Sequence, residues 1–293
     1  MDPYYKFMIQ LVKAALDEDI GRGDLTSFGA LEPGPAHARI VAKCDGVLSG
    51  VEPALLVFET VDSANTVVFT KKDGERFVRG DIIAEIDGFN QTLLSSERAA
   101  LNFLGHLSGV ATKTAAFVEK VRGTSVRILD TRKTLPGWRH LEKRAVVHGG
   151  GMNHRAGLYD MVLIKDNHIA SAGSVTQAVG AVRDFMQTPD FRLQFEARAE
   201  EILIEVEVEN DKQLREAIAA GVDRLLLDNQ STESLKQLVA TARGLNPSIQ
   251  LEASGNIALD NVAETARTGV DFISVGAITH SAPVADFSMK FLD

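Results

Sequence analysis

From Val121 onward the chain alternates short apolar runs with amphipathic stretches. VRILD precedes Arg139 to Val147, MVLIK precedes Ser174 to Met186, LIEVEVE precedes Asp211 to Ala220, RLLLD precedes Thr232 to Arg243, and IQLEAS precedes Leu259 to Thr268; FISVG closes the series. Strands separated by helices pair in parallel, because the helix carries the chain back to the starting edge of the sheet. Near-continuous apolar strands are buried on both faces, as a barrel or a doubly wound sheet requires. No GxGxxG follows the first strand, so nothing supports a doubly wound nucleotide site. Each run ends in a polar residue or a glycine: Asp130, Lys165, Glu207, Asp228, Ser254 and Gly276. In a parallel barrel these ends share one rim, where active sites are built. Six strands are fewer than eight, so the expected architecture is an open, incomplete α/β barrel whose gap the N-terminal domain covers.

The first part of the chain has a different texture. Phe7, Met8, Leu11, Val12, Ala15 and Leu16 recur at helical spacing and predict an amphipathic helix ended by Gly21 and Gly23. ARIVAK, TVVFT and DIIAEI predict a small sheet, with KKDG as a turn. Ser95 and Ser96 suit the cap of a long helix reaching about Val121, with Arg98 in its first turn. KKDGERFVRGDIIAEIDG is similar to the half-barrel repeat of lipoyl and biotinyl carriers, but no modifiable lysine on a Met- or Asp-Ala-flanked hairpin is present; it reads as a borrowed scaffold. The domain reading is a sheet-and-helix domain over 1–110, which the tail 281–293 can join, and a barrel over 111–280.

Composition narrows the classes. At 293 residues the chain exceeds one ordinary core. Hydrophobic content of 45% with 24% charged residues excludes disorder. No apolar run approaches the roughly 18 residues of a membrane span, and Asp2, Asp17, Glu18 and Asp19 stand where a signal peptide would be basic then apolar. A soluble, cytoplasmic protein is expected. The lone Cys44 forbids an internal disulfide and reads as an inert core residue. Net charge −9 argues against nucleic acid as partner, so any bound anion must meet a local basic cluster.

Such a cluster lies on the rim: Arg132, Lys133 and Lys165, joined by His154 and Arg155 from GGGMNHR. It predicts a small substrate with several negative charges, because guanidinium forks match carboxylate and phosphate. Glu207 and Asp228 oppose it and suit a magnesium ion shared with substrate phosphates. Ser254, Gly255 and Asn256 stand where a strand hands over to a helix and offer amides to a phosphate; Gly276 and Ala277 follow the next strand in the same way. Plainer readings stand beside these. Lys165 and Glu207 could form an ordinary ion pair, Glu205 an interior one, and Gly149 to Gly151 a helix C-cap. His148, His154 and His168 fit no common zinc spacing.

Together LDTRKTLPGWRHLEKRAV, GGGMNHRAGLYDMVLIKDNHI, IEVEVEN, LLLDN, LEASGNI and ISVGAITHS resemble the quinolinate phosphoribosyltransferase family, and ALDEDIGRGDLT and SSERAALNFLGHLSGVAT extend the likeness over nearly the whole chain. The resemblance implies an N-terminal α/β sandwich domain plus an open α/β barrel, assembled as at least a dimer. It implies magnesium-dependent joining of quinolinate to 5-phosphoribosyl-1-pyrophosphate, releasing pyrophosphate and carbon dioxide and forming nicotinate mononucleotide for NAD synthesis. Arg132, His154, Arg155 and Lys165 would surround the quinolinate carboxylates, with Arg98 supplied by the neighbouring subunit. Lys133 would lie near the sugar donor, Glu207 and Asp228 would serve the ribose and the magnesium–pyrophosphate group, and Ser254, Gly255, Gly276 and His280 would hold the 5-phosphate. Asn256 stands where a second glycine is usual, and the stretch Gln187 to Glu201 looks long. Three rivals remain: a paralogue linked to molybdate transport, which would lack NHR followed by IKDNHI; an aldolase using Lys165 as a Schiff base; and a catalytically dead anion-binding scaffold.

Overall fold

The computed structural model describes residues 3–195 and 198–292. In chain order the elements are α1 (Pro3–Ile20), α2 (Leu25–Ala30), β1 (Pro35–Ala42), β2 (Gly46–Val47), α3 (Val51–Val61), β3 (Thr66–Phe69), β4 (Arg76–Phe77), β5 (Ile82–Phe89) and α4 (Asn90–Lys120). There follow β6 (Arg127–Leu129), α5 (Arg139–His148), β7 (Val162–Ile164), α6 (Asp166–Ala172), α7 (Val175–Met186), α8 (Pro189–Phe195), β8 (Ile204–Val208) and α9 (Asp211–Ala219). The chain ends with β9 (Arg224–Asp228), α10 (Thr232–Leu245), β10 (Gln250–Ser254), α11 (Val262–Ala266), β11 (Phe272–Ser274), α12 (Ala277–His280) and β12 (Phe287–Leu292). Two compact units form: one gathers the chain up to Ala116, Lys133–Gly151 and Ala277 onward, and the other holds Phe117–Arg132 and Met152–Gly276. No helix among the described residues is long and apolar enough to cross a membrane.

The first unit is built on an antiparallel sheet in the order β12-β1-β5-β3. Period-two alternation sends Ala38, Ile40 and Ala42 of β1 into its core, with Ile83 and Ile86 of β5 and Phe58, Phe103 and Leu107 from the helices. Met8, Val12 and Leu16, four residues apart, form the buried stripe of α1, which stops before Gly21 and Gly23, both at positive φ. The long helix α4 starts at Asn90, five residues before the serines expected to cap it. β5 hands directly to the helix, and Asn90 accepts the Gln91 amide through its own side chain. Ser95 and Ser96 instead bond back to the Gln91 and Thr92 carbonyls, so they sit inside the helix and Arg98 lies in its third turn. Cys44 is half-buried at a bend after β1, its sulfur against the Asp286 backbone, and not in the core.

β12 pairs along most of β1, from His37↔Leu292 to Ala42↔Phe287. To reach that edge the chain passes close along α4, where the Ala285 amide donates to the Gly105 carbonyl at 2.9 Å. A Cβ on Gly109 would collide with the Pro283 carbonyl oxygen. In the same unit Trp138 stacks on Phe103, and the fully buried Glu142 reaches His106 Nε2 at 2.7 Å and the Leu135 amide at 3.2 Å. The glycine triplet after α5 is a C-cap: the Gly150 amide (φ 85°) goes to Val147 and the Gly151 amide to Val146, closing the last turn.

The second unit holds the six-stranded parallel sheet, in the order β6-β11-β10-β9-β8-β7. The first strand pairs with the last, and β6 and β7 are the two edges, so the sheet curls without closing, as six strands instead of eight predict. Its helix-covered face is apolar: Val206, Leu225, Leu227, Leu251, Ala253 and Ile273 are buried. Side-chain oxygens of Asn210 and Ser231 cap α9 and α10, which brings each strand end directly to a helix start. α11 is shorter than the Leu259–Thr268 spacing predicts because Asn261 takes the Ala258 amide and turns the chain first. The stretch Gln187–Glu201 contains α8, where Phe191 and Phe195 stack 5.3 Å apart; residues 196 and 197 lie outside the described ones.

Two glycines within helices test this packing. Gly109→Ala should lower the melting temperature by several degrees, because overpacking against a backbone carbonyl costs about 1–3 kcal/mol and outweighs the helix-propensity gain. Gly180→Ala, in α7 with open space where its Cβ would lie, should raise stability by about 1 kcal/mol. Equal shifts of the same sign in denaturant melts would refute the close passage along α4.

Candidate active site

Alternation along the parallel strands puts Glu205 and Glu207 of β8, Arg224, Leu226 and Asp228 of β9, and Gln250, Glu252 and Ser254 of β10 on one face. Polar contacts join this face from strand to strand. Arg224 donates to Gln250 Oε1 at 2.9 and 3.0 Å, approaches Glu252 at 3.5 Å and lies over the Phe272 ring at 4.3 Å. The inner face of the curled sheet is therefore charged, and only the face under the helices is oily.

Deepest are Glu205 and Glu252, both with no exposure. His154 Nε2 stands 3.1 Å from Glu205 and 3.4 Å from Glu252. Burial pulls the imidazole pKa down, but hydrogen bonds and charge from both carboxylates outweigh it and bring it up to about 9. Burial and the Glu252 charge push Glu205 up to about 7, while His154 and Ser274 outweigh burial and hold Glu252 below its usual range. The Arg155 amide lies 2.8 Å from Nδ1, a bond that needs a lone pair on that nitrogen. The three groups thus share one proton beyond a neutral imidazole and two carboxylates, and the Arg155 amide favours its residing on the acid pair. Their ligand atoms also lie within 4.8 Å of one another, a spacing a metal could use. The shared proton already supplies the positive charge the pair of acids requires.

Above this floor the rim residues gather. Lys165 follows β7, caps α6 and places Nζ 3.0 Å from Glu207 Oε2, so the ion pair and the rim position coexist. Arg155 is buried and donates to the Met161 carbonyl at 3.2 Å. Its pKa is lowered first by burial and then by the charge of Arg132; Asp160 and Glu205 offset only part of this. The charge of Arg132 thus reaches Arg155, and an anion close to both would stabilise both. Asp130, fully buried at the end of β6, accepts the His154 amide at 2.8 Å.

The loops after β9 and β10 interlock. Asn229 and Asn256 both adopt left-handed φ (51° and 53°), and the Asn256 amide group donates to Asn229 Oδ1 at 3.1 Å. Asn256 thereby supplies the conformation a second glycine would. Gly255 (φ 93°) has no room for a Cβ beside the Asn229 side chain. Asn229 also donates to Asp228 Oδ2 at 2.6 Å. Ser254, Gly255 and Asn256 help line a polar cavity of about 420 Å³. Gly276 follows β11 in the same unit.

The sheet therefore brings Arg132, His154, Arg155, Lys165, Glu207, Asp228, Ser254, Gly255, Asn256 and Gly276 into one unit. Arg98, Lys133 and His280 belong to the other, each exposed; the Lys133 carbonyl accepts from Thr279 Oγ1 at 2.7 Å and His280 Nδ1 meets Ser281 Oγ at 2.6 Å. Glu252 and Asn229 are not singled out by the sequence reading. The period-two run Arg224, Leu226, Asp228 beside Gln250, Glu252, Ser254 is the signal that points to the first, and the left-handed turn leaves none for the second.

A model described as quinolinate phosphoribosyl transferase, N-terminal domain, matches residues 24–108, and its C-terminal domain counterpart matches residues 110–290. The chain is 42% identical over 272 residues to the probable nicotinate-nucleotide pyrophosphorylase (carboxylating) of Bacillus subtilis, covering 93% of this chain and 89% of that one. A protein of the same description from Synechocystis is 40% identical over 277 residues, 94% and 90% of the two chains. The solved nicotinate-nucleotide pyrophosphorylase of Francisella tularensis superposes with a TM-score of 0.89 at 36% identity, covering 100% of this chain and 98% of that one.

The buried trio carries a stability signature. The trio titrates as a unit: the upward shifts of His154 to about 9 and of Glu205 to about 7 both mean that the folded state holds the shared proton more tightly than the unfolded chain, so the stability it adds at low pH is lost as the pH rises through 7 to 9. Melting temperature should therefore fall as pH is raised from 6.5 to 9, and the fall should shrink in His154→Gln. A flat profile in the parent chain would contradict the shared proton.

Proposed function

This chain belongs to the quinolinate phosphoribosyltransferase family, and on that premise we propose that it transfers the phosphoribosyl group of 5-phosphoribosyl-1-pyrophosphate to quinolinate with decarboxylation. The products are nicotinate mononucleotide, pyrophosphate and carbon dioxide, in NAD biosynthesis. The observation that carries this reading is the gathering of Arg132, Arg155 and Lys165 with Glu207 and Asp228 in the unit that holds the parallel sheet, with Lys165, Glu207 and Asp228 at its strand ends.

Arg132, Arg155 and Lys165 hold the two quinolinate carboxylates and aim the ring nitrogen at the sugar, which supplies the proximity term. Lys133 stabilises charge on the departing pyrophosphate. Glu207 and Asp228 present hard oxygen atoms of the kind magnesium takes, and they would hold that ion together with the pyrophosphate. Bound magnesium supplies electrostatic stabilisation of the leaving group. Glu207 or Asp228 also stabilises the oxocarbenium-like ribose. Attack by the pyridine nitrogen makes the ring cationic, and that cation is the electron sink for loss of the adjacent carboxylate, so no further organic cofactor is needed. Amides of Ser254, Gly255, Asn256 and Gly276, with His280, hold the 5-phosphate. The working form is a homodimer or higher oligomer in the cytoplasm, with Arg98 reaching the partner's quinolinate site.

Purified protein should release carbon dioxide and pyrophosphate from quinolinate and the sugar donor, and a chelator should stop it. Nicotinate should not replace quinolinate: it leaves one cationic site unmatched, at a cost of a few kcal/mol. Comparable turnover of nicotinate would overturn the substrate assignment, and borohydride trapping of Lys165 with a carbonyl substrate would instead favour the aldolase.

Sharing of the site between subunits has its own assay. Arg98→Ala and Lys165→Ala should each be nearly inactive. Co-refolded, they should regain up to roughly a quarter of parent activity, because in a mixed dimer one site collects both defects and the other neither. No recovery despite heterodimers seen by mass spectrometry would place Arg98 in its own chain's site.

A further inference from the structure

Arg155 lies on a stretch that no strand or helix supports. Before it, the isolated bridge Leu129↔Met152 is the last sheet contact of the segment. The His154 amide then goes to the Asp130 carboxylate and the Arg155 amide to the His154 ring, at 2.8 Å each. Side chains do here what strand neighbours do elsewhere. The ring is fixed at its other end as well, with Nε2 at 3.1 and 3.4 Å from two carboxylates on different strands. Glu252 is tied in turn to Arg224, which Gln250 and Phe272 hold in place. Both ring nitrogens are thus committed within the protein.

We propose that His154, Glu205 and Glu252 are positioning residues: they form a strut from the barrel floor to the Arg155 amide, and His154 serves quinolinate through Arg155 and not by touching it. The inference rests on the quinolinate transferase reading above. Its physical basis is that displacing a binding group by about 1 Å costs on the order of a hundredfold, and in an irregular segment side-chain contacts, not a strand ladder, hold a backbone amide to that tolerance.

The test is a double-mutant cycle on the intact protein, read as kcat/KM for quinolinate with the KM for the sugar donor as internal control. His154→Ala should lower kcat/KM for quinolinate by tenfold or more, on the order of the positioning cost, and leave the donor KM unchanged. In an Arg155→Lys background, the same substitution should cost nothing further, within about twofold, because its route of action is already broken. Glu252→Gln, which keeps an acceptor for Nε2–H, should cost less than Glu252→Ala; cooperative thermal melts establish that each variant is folded. Nitrogen NMR of the His154 ring should show an unprotonated Nδ1 that quinolinate leaves unchanged. Losses that multiply across the cycle, or a His154 ring signal that moves on adding quinolinate, would make His154 a direct ligand and overturn the proposal. An inactive parent chain would instead overturn the transferase reading, so the two failures are distinguishable.

Discussion

Two carboxylates with no access to water, Glu205 and Glu252, share one imidazole inside the curled sheet, and the candidate site is arranged around that fact. A buried acid pair is tolerable only with cations and a shared proton close by, because desolvation of two like charges costs several kcal/mol per ion. His154 and Arg224 meet that demand from the stretch between α5 and β7 and from β9. In doing so they fix the ring that holds the Arg155 amide, and the charge of Arg132 in turn lowers the pKa of the Arg155 guanidinium. Interior electrostatics and substrate recognition are consecutive links of one chain of contacts.

The same logic explains why the sheet stays open and one-sidedly polar. A closed eight-stranded barrel fills its interior with branched apolar side chains. Here the interior positions are mostly Glu, Arg, Gln, Asp and Ser, while most apolar residues of IEVEV, RLLLD and QLEAS face the helices. Stability comes from the outer layer and chemistry from the inner one. The two are separated by nothing more than the two-residue period of a strand.

Much of this is legible along the chain. The six strands, their parallel pairing and the polar residue at each end follow from periodicity, because backbone geometry ties side-chain direction to position. The motif around GGGMNHR stands out, and its glycine triplet is the C-cap that was one of its readings. Misreadings arise where local chemistry competes with context. Ser95 and Ser96 look like caps but lie within α4, since β5 delivers the chain to Asn90 first. Cys44 looks like a core residue but lies at a bend against Asp286. Glu252 escapes notice because the period-two run Gln250, Glu252, Ser254 gains its meaning only when the pairing of β10 with β9 is known.

The sequence by itself determined the fold class, the family and the list of charged residues at the strand ends, because each depends on order and spacing along the chain. Tertiary structure alone decided which of those charges meet. Lys165 pairs with Glu207 across 42 residues and His154 with Glu252 across nearly a hundred, distances over which no local periodicity carries information. It also decided protonation: an acid, an imidazole and a guanidinium have ordinary pKa values until burial removes water and brings other charges close. That step belongs to packing, and packing is where this site acquires its chemistry.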